Sequence, residues 1–146
     1  MTLEEYDAIG QRVAALGSWR WGDGMLGAHI YDGRIVRHRI GQFGPAAYLH
    51  AWPDLRDGAT MGAALAGLRL VAYDPQAHTR PHAAGWVCSL SPWAILWDAT
   101  LIDEGGRPRE VGRRTFRPDE TRDFYGSTEA EALVEAFFAI DRKGKR

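Results

Sequence analysis

The chain is bracketed by two helix-start signals of one kind. Thr2 with Glu5 near its beginning, and Thr128 with Glu131 near its end, have the spacing of a capping box, in which a hydroxyl and a carboxylate satisfy otherwise unpaired backbone amides of the first turn. Leu3, Tyr6, Ile9, Val13 and Leu16 recur at three- and four-residue spacing after the first signal, which predicts an amphipathic helix ending at Gly17. After the second, Leu133, Val134, Phe137, Phe138 and Ile140 predict a closing helix with a wide apolar face. The β-forming runs lie between these helices and do not alternate with them. That grouping predicts an α+β fold, one domain over 1–146, with an antiparallel sheet or meander and about three helices packed on it.

Residues 25–40 have strand character on either side of Asp32-Gly33, a dipeptide that favours a tight hairpin. A helix opening near Asp57 puts Met61, Ala64, Leu65, Leu68 and Val71 on one face, while Gly62, Ala63, Ala66 and Gly67 leave a slim surface that another backbone could approach. Interior glycines each cost roughly 1 kcal/mol relative to alanine, so a packing reason is expected for them. Residues 74–84 lack a period and hold proline and histidine, reading as an irregular loop. Runs over 85–90 and 94–102, separated by Ser91-Pro92, and a third over 109–116 after Gly105-Gly106, predict a meander that buries Trp86, Ile95, Trp97 and Leu101.

A length of 146 residues suffices for one independent core, and 45% hydrophobic with 25% charged residues is the balance of a folded chain rather than a disordered one. The net charge of −1 excludes bulk nucleic-acid binding through overall charge. The single cysteine, Cys88, excludes an intramolecular disulfide, and its neighbours Trp86, Val87 and Leu90 place it in a core strand. No apolar run approaches the roughly 20 residues that span a bilayer, and the acidic amphipathic start is unlike a signal peptide. A cytosolic protein without a membrane partner is expected.

Motifs for catalysis are weak. Gly22-Asp23-Gly24-Met25-Leu26-Gly27 has the spacing of a phosphate-binding loop, but it precedes a strand instead of opening a helix, and reads as a glycine-rich turn. His78 and His82 are four apart, yet Pro81 breaks the helix that would bring both imidazoles to one metal. His29, His38 and His50 are scattered singly. Ser89 and Ser91 lack a nucleophile elbow, and nothing in the spacing of Asp98, Asp103 and Glu104 pairs them for glycosidic chemistry. No catalytic residue, metal ligand or cofactor site emerges.

What remains is arginine with tryptophan. Arg37 and Arg39 project from one face of a strand, and Arg107, Arg109, Arg113, Arg114, Arg117 and Arg122 crowd a segment opposed by Glu110, Asp119, Glu120 and Asp123. Arginine's planar fork suits phosphate and carboxylate, and tryptophan offers a stacking face. Trp19, Trp21, Arg37, Arg39, Arg113 and Arg114 are therefore the candidate residues for an anionic, nucleotide-like ligand. The structural alternative is a solvated strand face paired with the acidic helices.

Three segments carry a resemblance. Trp52-Pro53-Asp54-Leu55-Arg56-Asp57-Gly58-Ala59-Thr60-Met61-Gly62, Gly126-Ser127-Thr128-Glu129-Ala130-Glu131-Ala132-Leu133-Val134 and Trp19-Arg20-Trp21 resemble motifs of a family of small uncharacterised proteins encoded by bacteriophages and prophages. Gly58 stands where that family usually has proline, and Ala63 where it often has cysteine. The family has no assigned activity to transfer to a residue. The resemblance implies a phage accessory protein in the bacterial host cytosol, first a non-enzymatic binder acting in counter-defence by sequestering a nucleotide-like or phosphorylated ligand. The alternative is an inhibitor that docks on a host or phage protein complex through Trp19, Trp21 or Trp93; homo-oligomerisation stays open. An enzyme using Cys88, or His78 with His82, ranks behind both.

Overall fold

The computed structural model describes residues 1–41, 50–72, 74–90, 101–102, 108–109 and 122–144. Helix α1 is Leu3–Ala14. The Thr2 hydroxyl accepts from the Glu5 amide at 3.2 Å and the Glu5 carboxylate accepts from the Thr2 amide at 2.6 Å, so the first capping box is formed. The helix stops at Ala14, short of Gly17, and leaves Leu3 exposed while Val13 enters the core. A turn over the glycine-rich segment, with Gly24 at φ +84°, leads to β1 (Leu26–Tyr31). Strand β2 (Arg34–Arg39) pairs antiparallel with it through Tyr31↔Arg34. Asp32 and Gly33 carry φ of 52° and 72° between them, the twist-matching turn that this dipeptide favours. On the other side of β1 lies β3 (Trp52–Pro53), two residues long, giving the order β2-β1-β3.

Asp57 caps α2 (Gly58–Val71) by accepting from the Thr60 amide. Gly58 is its first helical residue, a position that proline also fits. Strand β4 (His78–His82) falls where the sequence predicts a loop. It forms a hairpin with β5 (Gly85–Leu90), closed at His82↔Gly85. Alternation from that closing pair turns Pro81's nitrogen away from β5, and among the described residues β4 is an edge strand, where a sheet tolerates proline. The turn between them, Ala83-Ala84, lacks the usual turn residues, although Ala83 takes φ 48°.

The backbone pairs β6 (Leu101–Ile102) with β7 (Pro108–Arg109). Strand β8 (Arg122–Gly126), which sequence periodicity does not disclose, pairs with β5 to give the order β4-β5-β8. The last helix, α3, is Glu129–Gly144. Thr128 accepts from the Glu131 amide, but the Glu131 carboxylate bonds the amide and hydroxyl of Ser127, so the second box closes one residue early.

Among the described residues the architecture is α+β, as the sequence predicts, with three helices and small antiparallel sheets. Helix α3 packs against β5, β8, α1 and α2. Val13, Met25, Leu68, Leu90, Leu133 and Phe137 lie in the shared core, each contributing about 1.5 to 3 kcal/mol through burial. Contrary to expectation, Gly62 and Gly67 face open space: a Cβ at either meets no heavy atom within 4 Å. The close helix contact is at Gly10 of α1, where a Cβ would strike the Pro53 carbonyl and the Trp52 ring. Ile95 and Trp97, with the Ser91-Pro92 and Gly105-Gly106 turns, lie outside the described residues. No helix of the described residues is long and apolar enough to cross a membrane.

Candidate functional site

Strand alternation puts Arg37 and Arg39 on one face of β2, as the sequence predicts, and that face meets α1 and the turn before α2. Arg37 donates through Nη1 and Nη2 to Asp7 of α1 at 3.0 and 2.9 Å, and through Nη1 to Asp54 at 3.0 Å. The Trp52 indole donates to Asp7 at 2.9 Å. Arg39 forks onto Asp57 at 2.6 and 2.8 Å, tying β2 to the cap of α2. Both arginines thus stitch β2 to the helices.

The carboxylates are stabilised as anions. Burial by itself raises the pKa of Asp7 and of Asp54, but the hydrogen bonds and charges of Arg37 and Trp52 at Asp7, and of Arg56 and Arg37 at Asp54, outweigh it and hold both below the usual range. The Arg39 fork, against a smaller opposing effect of burial and with help from Thr60, holds Asp57 far below it.

Asp54 also holds Arg56. The Arg56 Nε donates to Oδ1 at 3.0 Å and Nη2 to Oδ2 at 2.8 Å, while the Arg56 amide bonds Oδ1 at 3.1 Å. The Asp54 side chain is 1% exposed and that of Arg56 42%, so a fixed carboxylate orients an accessible guanidinium. Asp7, Arg37, Asp54 and Arg56 form a charge-balanced chain from the interior to the surface.

Arg56 lines a cleft of about 530 Å³. Tyr6 and Trp86 bring aromatic surface, Met61 and Leu65 apolar side chains, and Gly58 and Gly62 a bare stretch of α2. Ser127 to Ala130, at the start of α3, complete it. The cleft therefore faces the first turns of α2 and α3. First-turn amides have no acceptor inside their own helix and carry its positive end. Among the described lining residues the one carboxylate, that of Glu129, accepts from the Thr79 hydroxyl at 2.6 Å.

The candidates read from sequence are placed as follows. Trp19 is 6% exposed and packs edge-on against Phe137 and Trp21, at centroid distances of 5.5 and 5.7 Å. Its ring is core, which removes it as a stacking platform or docking anchor. Trp21 is half-buried beside it. Arg37 stands one carboxylate behind the cleft, and Arg39 flanks the α2 cap. Arg113 and Arg114 lie outside the described residues, as do Trp93, Asp98, Asp103 and Glu104. Sequence reasoning missed Tyr6, Arg56 and Trp86 as a group; the available signal was Asp54-Leu55-Arg56, where the carboxylate and guanidinium are two residues apart.

His78 and His82 are exposed on β4, about 13 Å apart along an extended strand, too far for one metal. Among the described residues no group of three or more His, Cys, Asp or Glu side chains could hold a metal ion. His29 and His38 stack at 5.1 Å. The Ser89 hydroxyl donates to Asp123 at 2.6 Å, and burial pushes the Cys88 thiol up to about 12. Ile30, Tyr31 and Ile35 stand exposed at the tip of the β1–β2 hairpin, at 66%, 70% and 50%. No protein-family model, curated protein or solved structure matches the chain.

Proposed function

We propose that this protein is a non-enzymatic binder that holds one small, nucleotide-like or phosphorylated molecule in the Arg56 cleft. The observation that carries this reading is the convergence, on one cavity of about 530 Å³, of the Tyr6 and Trp86 rings with an oriented guanidinium and two helix N-termini. Such a volume lies in the range of small-molecule sites, and a few placed polar groups among apolar walls is their usual composition. The aromatic surface favours a planar ring, and the guanidinium and helix ends favour an anionic group. The resemblance to phage proteins supports sequestration in counter-defence as the setting. Native mass spectrometry of protein purified from a phage-infected host should then find a retained molecule, released unchanged on denaturation. Its binding should alter tryptophan fluorescence in wild type and not in Trp86→Phe. A protein that carries no molecule, and whose fluorescence answers to no nucleotide, sinks the reading.

A second reading, docking on a host or phage protein, is favoured by the exposed Ile30, Tyr31 and Ile35 beside Arg34, a composition suited to an interface. It requires a stable complex that is lost in Ile30→Ser with Ile35→Ser and kept in Trp86→Phe.

A further inference from the structure

Arginine has two forks. The side fork, Nε with one Nη, and the end fork, Nη1 with Nη2, each present two parallel N–H groups spaced to match the oxygens of a carboxylate or phosphate. In Arg56 the side fork is closed on Asp54, with Nε on Oδ1 at 3.0 Å and Nη2 on Oδ2 at 2.8 Å. Among the described residues its Nη1 makes no hydrogen bond, which leaves the end fork open. The guanidinium is therefore held in one plane by a buried group while its other fork remains available.

Asp54 is itself immobilised. Its Oδ2 also accepts from Arg37, and Arg37 is locked by two hydrogen bonds to Asp7, which takes a further one from Trp52. A side chain as long as arginine loses rotamer entropy when it grips a ligand. Here the protein has already fixed it, which favours tight and orientation-specific binding.

We propose that the end fork of Arg56 binds a phosphoryl group of the ligand, with Asp54 and Arg37 as positioning residues behind it. This rests on the cleft being the binding site. A phosphoryl group is favoured over a carboxylate because two of its oxygens occupy the fork and a further oxygen remains. That oxygen is free for the first-turn amides of Gly58, Glu129 or Ala130, which border the same cleft. The Glu129 carboxylate, the one acidic group among the described lining residues, is engaged with Thr79.

The test is a calorimetric titration of wild type with the monophosphates of adenosine, guanosine, cytidine and uridine, each beside its nucleoside and its 5′-carboxylate analogue. At least one monophosphate should bind about tenfold or more tightly than its nucleoside, and more tightly than the carboxylate, the ratio expected for charge-assisted contacts. Arg56→Lys keeps the charge and loses the fork, so it should weaken the monophosphate by about tenfold or more and leave the nucleoside unchanged. Asp54 keeps Arg37 and the backbone amide of residue 56 in this variant, so the protein should still fold, with a melting transition lowered but not abolished. Asp54→Asn, where it folds, should weaken the same ligand while retaining Arg56. Equal binding of nucleotide and nucleoside, with both lost in Trp86→Phe, overturns the fork and keeps the cleft. A preferred carboxylate analogue overturns the phosphoryl assignment, full binding by Arg56→Lys overturns the fork, and no binding by any probe overturns the fork and the cleft together.

Discussion

Cys88 lies in β5 with no exposed surface, and burial in an apolar strand, reinforced by Asp123, Asp74 and Glu129, pushes its thiol up to about 12. The thiolate is the reactive form. The native protein should therefore resist a thiol reagent at pH 8 and react fully in denaturant; stoichiometric labelling of the folded chain within minutes would contradict this. Gly10 has a different constraint. A methyl group there would strike the Pro53 carbonyl and the Trp52 ring, so Gly10→Ala should cost about 1 to 3 kcal/mol, read as a lower denaturation midpoint. At this scale the sequence was legible wherever a residue acts through its own backbone or a near neighbour. Thr2 with Glu5, Asp32-Gly33 and the burial of Cys88 are of that kind. Trp19 was not, because indole is equally suited to a core and to a binding face, and only Phe137, more than a hundred positions on, decides between them.

Among the elements, α2 joins an open glycine at Gly67 to another at Gly62 that lines the cleft. Neither has a neighbour to hinder a methyl group, and alanine is preferred to glycine inside a helix. Gly67→Ala should raise stability by about 0.5 to 1 kcal/mol and leave nucleotide binding as it was. Gly62→Ala should stabilise comparably but intrude on the cleft and weaken the bound monophosphate. Thermal melts beside calorimetry separate the two; a stabilised Gly62→Ala with unaltered binding would remove α2 from the site. The helices were legible because caps and periodicity are local. Strand β4 was not: His78-Thr79-Arg80-Pro81-His82 has no apolar alternation, and its strand state comes from pairing with β5 at a sheet edge. Strand β8 likewise owes its place to β5, about 35 positions earlier.

For the whole molecule, the cleft joins residue 6, residues 55–65, residue 86 and residues 127–130, and no local pattern announces such a meeting. The arginine-rich face of β2 was legible, but its destination was not. Arg37 turns inward to Asp7 and Asp54 while Arg39 pairs with Asp57 at the surface, which ties three elements together through ions. That choice sets the acid stability. All three carboxylates have folded pKa values below their ordinary ones, so the unfolded chain takes up protons first as pH falls past about 4. Their contribution is fully present above that value and is lost as pH descends through the lower, folded values. The melting temperature should accordingly show no loss from this network between pH 7 and about 5 and fall steeply below about 4. Asp54→Asn leaves Arg37 and Arg56 without their shared anion and should cost about 3 kcal/mol at pH 7. Because the substituted amide does not titrate, the acid loss of that variant should be smaller than that of wild type. Melts of both proteins from pH 7 to pH 2.5 check this, and parallel acid limbs would show that the Asp7–Arg37–Asp54–Arg56 chain does not govern the stability of the fold.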